Sequence, residues 1–216
     1  MTYVISDIHN NSKKFRELLK RLDFNKDDRL YIAGDIFDRG SVPDPLGLYH
    51  SILRLGEQCV VIRGNHEQTL AEYIVHYYNT PERRRKKLLP YKYNSFELLR
   101  ERLTQRDMLD LAEWMLNLPL QIEARIGEAK YLIAHARTAP PDEPHPREFY
   151  LSSPLDEEYL TNGAGGYVSV IGHRVTPNHS IWINQKRNVI RTDCGCGYCE
   201  GRLGCLCLET SEESYI

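Results

Sequence analysis

The sequence predicts an α/β fold on three observations. Short apolar runs rich in Val, Ile and Tyr recur, at residues 3–5, 30–33, 60–62, 131–134 and 168–171. Runs of this length and composition suit strands better than helices. Segments of helical periodicity separate the early runs, and strand alternating with helix is the pattern of an α/β sheet. Finally, the five runs stop in the same way: YVI leads to SDIH, LYIA to GDIFDRG, VVI to RGNHE, YLIA to HA and VSVI to GH.

Taken in order, YVI is the first strand. SKKFRELLKRL follows as a helix, with Ser12 as N-cap and Phe15, Leu18, Leu19 and Leu22 on one face. After the LYIA strand, DPLGLYHSILRLG reads as a second helix, with Asp44 as N-cap, Pro45 at its first position and Gly56 as a stop. VVI is the third strand. Residues 68–120 then lose the strand signal. HEQTLAEYIVHYY, SFELLRERL and TQRDMLDLAEWMLNL read as helices around the polar PERRRKKLLP, which predicts a helical insertion inside a single domain spanning 1–216. From Gln121 onward the pattern is mostly β, with IWI, VIR and CLCL as further strands. A proline-rich irregular loop, Thr138 to Pro154, and the run NGAGG interrupt it.

Composition excludes several classes. Hydrophobic residues make up 41% and charged residues 27%, enough to fill a core. The net charge of −2 offers no whole-chain attraction for nucleic acid or an anionic membrane. No apolar run approaches the ~18–20 residues of a bilayer span. The segment MTYVISDIHNN lacks a basic lead and the roughly 7–15 apolar residues of a signal peptide, so a cytoplasmic location is expected. Five of six cysteines (Cys194, Cys196, Cys199, Cys205 and Cys207) crowd together, with Cys59 apart, unlike a secreted disulfide framework. Their spacing admits a zinc knuckle. But Cys205 and Cys207 alternate with Leu206 and Leu208 like a strand, so packed, reduced thiols are the expectation. The basic run 83–87 is expected to be a solvated face.

The strand ends carry the chemistry. In open α/β sheets, ligands bind beyond the carboxyl ends of the strands. Asp7 and His9 are two residues apart, and Asp35, Asn65 and His173 each follow a glycine that permits close backbone approach. With His135 they make two carboxylates, one amide and three imidazoles. That mixed set suits Mn, Fe or Zn better than Ca or Mg. Six groups are too many for one tetrahedral ion and suit two ions ~3.5–4 Å apart around a bridging carboxylate.

SDIHN, GDIFDRG, RGNHE, AHA and IGH, in this order, resemble the signature blocks of the phosphoprotein phosphatase family of calcineurin-like metallophosphoesterases, in its small bacterial and phage members of the bacteriophage lambda phosphatase type. The resemblance covers most of the chain, including WMLNLPL and TDCGCGYCEGRL. It implies two packed mixed β-sheets flanked by helices, an α/β/β/α sandwich. It assigns Asp7 and His9 to a first metal, Asp35 to both, and Asn65, His135 and His173 to a second. Manganese is the first choice, with iron or zinc as alternatives. It further implies hydroxide attack at phosphorus between the metals, Arg39 and Arg63 as the phosphate clamp, Asn65 as a substrate contact, His66 as general acid, and Asp38 as the residue orienting His66.

The implied activity is a metal-dependent phosphomonoesterase. Its expected partner is a phosphoprotein or phosphopeptide bearing phosphoserine or phosphothreonine, and phosphotyrosine as a further candidate. A second reading is a diadenosine tetraphosphatase-like or other nucleotide phosphoester hydrolase, with Tyr77, Tyr78, Tyr91 and Tyr93 available to stack a base. A third is a catalytically silent binding module, which the complete ligand set argues against. Ser6 and Asn10 stand where the family has Gly, and the family's Trp-x-Arg element is missing, leaving Arg137 and Arg147 as substitutes.

Overall fold

In the first strand, β1 (Thr2–Ile5), alternate side chains go to opposite faces: Val4 is buried in one hydrophobic cluster and Ile5 in another. That division runs through the whole architecture. The computed structural model describes residues 1–216. β1 pairs in parallel with β2 (Arg29–Ile32), and β2 with β3 (Cys59–Val61). On its other side β1 pairs antiparallel with β9 (Gly204–Cys207), which carries β10 (Glu213–Tyr215), giving the order β10-β9-β1-β2-β3.

The second sheet comprises β4 (Gln121–Ile126), β5 (Ala129–Ala134), β6 (Val168–Ile171), β7 (Trp182–Ile183) and β8 (Val189–Arg191), in the order β4-β5-β6-β8-β7. β5, β6 and β8 run parallel, and β4 and β7 close the edges antiparallel. Between the sheets lie Val4, Tyr31 and Ile62 from one and Ile133, Val170 and Ile190 from the other. Two mixed sheets packed face to face and flanked by helices are the architecture expected from the motifs.

The outer face of the first sheet is covered by α1 (Ser12–Arg21), α2 (Pro45–Leu53), α3 (Asn65–Asn79), α5 (Ser95–Arg100) and α6 (Gln105–Asn117), with Phe15, Leu48, Leu70, Phe96 and Met108 fully buried against it. A single turn, α4 (Glu82–Arg85), carries the exposed basic run. The second sheet's outer face is covered more thinly, by α8 (Glu157–Asn162), through Tyr159 on Ile171 and Val189. No helix is long and apolar enough to cross a membrane.

Caps explain several boundaries. Asp44 accepts from the Gly47 amide at 3.0 Å with Pro45 next, as expected. Thr104 and Asp107 form a reciprocal capping box on α6. Ser12 is not a cap: it lies inside α1, and its hydroxyl donates to Asp44 at 2.7 Å, tying the starts of two helices together. The proline-rich segment holds a short helix, α7 (Arg147–Ser152), which starts just after Pro146. α3 starts at Asn65, so its first turn belongs to the site rather than to an inserted lobe.

Candidate active site

The parallel strands β1, β2, β3, β5 and β6 all release their chains at one edge, where the two sheets meet. Backbone bonds tie the released loops together: Asp7 N donates to Gly34 O at 3.0 Å, His9 N to Asp35 O at 3.1 Å, and Gly172 N to His135 O at 2.8 Å. A Cβ on Gly64 would lie 2.2 Å from Asp35 Oδ1, so only glycine admits the approach of these two loops.

The loops are held in an uncommon conformation. Asp7, His9, Asp35, Asp38, Arg39 and His173 all have φ between 51° and 67°. Such left-handed non-glycine residues cost about 1–3 kcal/mol each and persist where surrounding contacts over-determine them. Asn10, at φ 62°, adopts the left-handed conformation that asparagine tolerates best after glycine.

Around Asp35 Oδ2 stand three ring nitrogens: Nε2 of His135 at 3.3 Å, of His66 at 3.8 Å and of His9 at 3.9 Å. His9 Nδ1 donates to Phe37 O at 2.9 Å and His135 Nδ1 to Ala33 O at 2.8 Å, so both rings turn Nε2 to the centre. On the far side, Asn65 Oδ1 lies 2.9 Å from His135 Nε2 and 2.9 Å from His173 Nδ1, and those two nitrogens are 3.2 Å apart. With Nδ1 of His135 already donating to Ala33 O, its Nε2 and Asn65 Oδ1 are two acceptors 2.9 Å apart, a contact that a proton or a cation between them relieves.

The electrostatics agree. Burial resists charging His135, but the Asp35 charge and hydrogen bond overcome it and push its pKa up to about 10. The protein alone thus supplies the missing cation as a proton on His135, and a divalent ion is the natural replacement. Burial lowers His9 and His173 to about 4, leaving both neutral and ready to ligate. Burial would raise Asp35, but His135, His66 and His9 hold it well below the usual carboxylate range. Asp7 is pushed well up by burial and by Asp193; one of its oxygens accepts from His173 N at 3.0 Å. Two groups, His9–Asp35–His66 and Asp35–His135–His173, each bring ligand atoms close enough to share one ion; the first contains His66 in place of the expected ligand Asp7, whose Oδ1 lies 3.9 Å from His9 Nε2. The donor set fits divalent metal ions, with Asp35 common to both groups.

His66 donates from Nδ1 to Asp38 Oδ2 at 2.8 Å. Burial opposes protonation of His66, but Asp35 and the Asp38 hydrogen bond outweigh it, so its pKa is raised. Arg39 reaches the cleft, its guanidinium 5.0 Å from the centre of the Tyr198 ring and hydrogen-bonded to the Tyr198 hydroxyl. The cleft, of about 270 Å³, is lined by Asp7, His9, Asp35, Arg39, Asn65, His66 and His173 among the expected residues. His135 and Asp38 lie beneath it, fully buried.

Arg63 is the exception. Its guanidinium donates to the carbonyls of Leu116 and Leu118 and to Gln68 Oε1 at 2.9 Å, and it does not line the cleft. The expected phosphate-clamp role is corrected: the bare carbonyls at the end of α6 attract this cation. The tyrosines offered for base stacking are also occupied. Tyr91 is buried, Tyr93 packs 4.5 Å from His66, and Tyr77 and Tyr78 pack with Phe96 and Arg85. Arg137 pairs with Asp156 at 2.8 Å and Arg147 with Glu148 at 3.1 Å and Glu72 at 3.4 Å, so neither fills the missing arginine's place in the cleft.

Sequence reasoning missed Arg174, Asp193 and Tyr198, which line the cleft, and Glu67, which supports it; Tyr91, expected as a stacking surface, instead supports Asp38. Burial raises Asp193 to about 6, against a Gly195 amide bond that lowers it, with Asp35 adding to the rise. The metal-capable groups contain no cysteine. Burial pushes the Cys194 and Cys196 thiols up to about 12, which disfavours the thiolates that zinc needs.

Comparison with known proteins completes the assignment. A symmetrical bis(5'-nucleosyl)-tetraphosphatase of Buchnera aphidicola subsp. Schizaphis graminum is 36% identical over 140 residues, 64% of this chain and 45% of the relative. The chain therefore spans about half the length of the curated relative it matches. A crystal structure provisionally named a diadenosine tetraphosphatase superposes at TM-score 0.69 and 21% identity, covering 100% of this chain and 92% of that one. A Saccharomyces cerevisiae serine/threonine phosphatase superposes at TM-score 0.59 and 16% identity, covering 94% and 71%. These superpositions carry the fold. The sequence relative corrects the expected phosphoprotein or phosphopeptide partner, because it is named for a dinucleotide substrate. The family model for calcineurin-like phosphoesterases matches residues 2–201, and this chain, with its candidate metal-ligand cluster at the joined edges of two sheets, belongs to that family.

Proposed function

We propose that the chain hydrolyses dinucleoside polyphosphates, of which diadenosine tetraphosphate is the representative, with two divalent metal ions in the centre. The observation that carries the chemistry is the convergence of His135, His66 and His9 within 3.3–3.9 Å of Asp35 Oδ2 at the floor of an open cleft. The relative's name carries the substrate class. Manganese is our first choice of metal, with iron or zinc as alternatives, because the donors mix nitrogen with oxygen.

When bound, the metals supply an activated water and a Lewis acid at phosphorus. Asp7 and His9 would hold one ion, Asn65, His135 and His173 the other, and Asp35 would serve both. Arg39 binds phosphate oxygens, its geometry set by Tyr198. His66 protonates the departing oxygen and Asp38 keeps its Nδ1 proton directed. Symmetrical cleavage of a tetraphosphate expels a nucleoside diphosphate, a far better leaving group than a serine alkoxide. His66 therefore contributes least where the leaving group is most acidic.

The test is a side-by-side assay on diadenosine tetraphosphate, a phosphopeptide and a phosphodiester, with Mn²⁺ supplied and then stripped by EDTA. We expect EDTA-sensitive turnover, fastest on the dinucleotide. A phosphopeptide preference of about tenfold, 1.4 kcal/mol in transition-state binding, would overturn the substrate class.

A further inference from the structure

We propose that Tyr198 and Arg174 form a specificity subsite beside the candidate metal centre: the Tyr198 ring, with Val175 in the same cleft lining, receives a nucleobase, and Arg174 receives phosphates beyond the reacting one. The inference deepens the dinucleoside polyphosphate reading and rests on it.

Tyr198 is placed by backbone geometry. Its amide donates to Gly195 O at 2.9 Å, and its own carbonyl accepts from Gly201 N at 3.2 Å, closing a tight loop. A Cβ on Gly197 would lie 2.5 Å from the His9 ring, so this loop rests directly on a metal-ligand side chain. A Cβ on Gly195 would lie 3.3 Å from Val175 Cγ1, so the same loop packs against the segment after His173. Two chain segments about one cleft are thereby locked together.

Within that cleft, Tyr198 is the one phenylalanine, tyrosine or tryptophan in the lining and is 51% exposed, and Val175, in the same lining, is 36% exposed. Large apolar groups held open beside a charged centre are positioned for something flat and apolar. Arg39 lies 5.0 Å from the centre of this ring and covers part of it, but half of Tyr198 stays open to the cleft, whereas none of the tyrosines of the helical segment lines it.

Arg174 supplies the second half. It follows His173, lines the cleft and is exposed, and its guanidinium has no hydrogen-bond or ion-pair partner in the protein. Arg39, by contrast, is fixed by Tyr198. A phosphate monoester is satisfied by the metals and Arg39. A polyphosphate chain brings further negative charge and two nucleosides, and an unpaired guanidinium next to an open aromatic ring matches both.

The experiment measures kcat/KM on diadenosine tetraphosphate and on p-nitrophenyl phosphate, for the full chain with Mn²⁺, and takes their ratio. Tyr198→Leu should lower the ratio about tenfold, the scale of one stacked base. Tyr198→Phe, which keeps the ring and loses the hydroxyl bonded to Arg39, should keep the ratio within about threefold even if both rates fall. Arg174→Gln should lower the ratio by about tenfold, as one charge-assisted contact to phosphate. Each variant decides its own residue. An unmoved ratio in Tyr198→Leu or Arg174→Gln overturns the role given to that side chain while leaving the activity standing. A wild type that hydrolyses p-nitrophenyl phosphate but not the dinucleotide overturns the activity and the subsite together.

Discussion

The Tyr91 hydroxyl donates to Asp38 Oδ2 at 2.6 Å, the same oxygen that accepts from His66 Nδ1 at 2.8 Å. Tyr91 is buried, and Asp38 is fully buried with its other oxygen unpartnered. One carboxylate oxygen thus carries both donors, and Tyr91 fixes the direction in which Asp38 can hold the imidazole. Tyr91→Phe should cost about 1–2 kcal/mol of stability, the loss of a hydrogen bond to a buried charge. Its kcat should fall by less than about tenfold, because Asp38 still binds His66. Thermal unfolding and steady-state kinetics on the same preparation check both. A larger kcat loss than Asp38→Asn would place Tyr91 in a different role.

The two aspartates of GDIFDRG divide their work in the same way. Asp35 Oδ2 faces three imidazoles, whereas Asp38 faces His66 and Tyr91. Asp35→Asn removes the charge shared by both metal groups and should reduce bound metal. Asp38→Asn should keep metal and, on a phosphomonoester whose leaving group needs a proton, lower kcat by about 10²-fold, as loss of general acid–base catalysis does. Metal content of the dialysed proteins, read by plasma mass spectrometry, separates them. Equal occupancy in the two variants would remove the bridging role from Asp35.

Glu67 holds the loop on which both aspartates stand. Its carboxylate accepts from four backbone amides: Asp35 at 2.8 Å, Ile36 at 2.9 Å, Phe37 at 3.2 Å and Gly64 at 2.8 Å. Glu67→Gln turns an amide NH₂ toward two of these donors, leaving them unpaired and opposed. We expect about 3 kcal/mol of destabilisation from stranded buried donors. At roughly 2–4 °C per kcal/mol for a chain of this size, the melting point should drop by about 10 °C. A Glu67→Gln protein melting with the wild type would show that the loop holds its left-handed residues by other means.

The candidate ligands could be named because each sits one to four residues past an apolar run, within reach of local pattern reading. What local pattern could not carry was every contact made across the fold. Tyr91 meets Asp38 across 53 residues and Tyr198 meets Arg39 across 159, and neither distance leaves a periodic trace. Glu67 stood in view inside RGNHE, yet its four amide partners come together only when β2 and β3 pair. The strand β10 was missed because ESY is short and half polar, and its pairing with β9 decides its state. Ser12 was a sound cap by local rules, but Asp44 competes for its hydroxyl.

Arg63 makes the sharpest test of that lesson, since motif and structure disagree about it. Its guanidinium binds Leu118 O through Nη2 at 2.8 Å and through Nε at 3.2 Å, Leu116 O through Nη2, and Gln68 Oε1 through Nη1 at 2.9 Å. These bonds satisfy carbonyls at the end of α6 and join that helix to α3. Arg39 has no such backbone anchor and lines the cleft. Arg63→Ala should therefore lose stability, by about 2–3 kcal/mol for charged bonds to partly buried acceptors, and raise KM by less than about threefold. Arg39→Ala should melt close to the wild type and lose about 10²-fold in kcat/KM, the scale of a charge-assisted contact to phosphate. Melting curves and kcat/KM on one phosphoester substrate, measured for both variants, read the two effects apart. If Arg63→Ala loses kcat/KM as Arg39→Ala does while its melting point holds, the guanidinium must leave the α6 carbonyls when substrate binds.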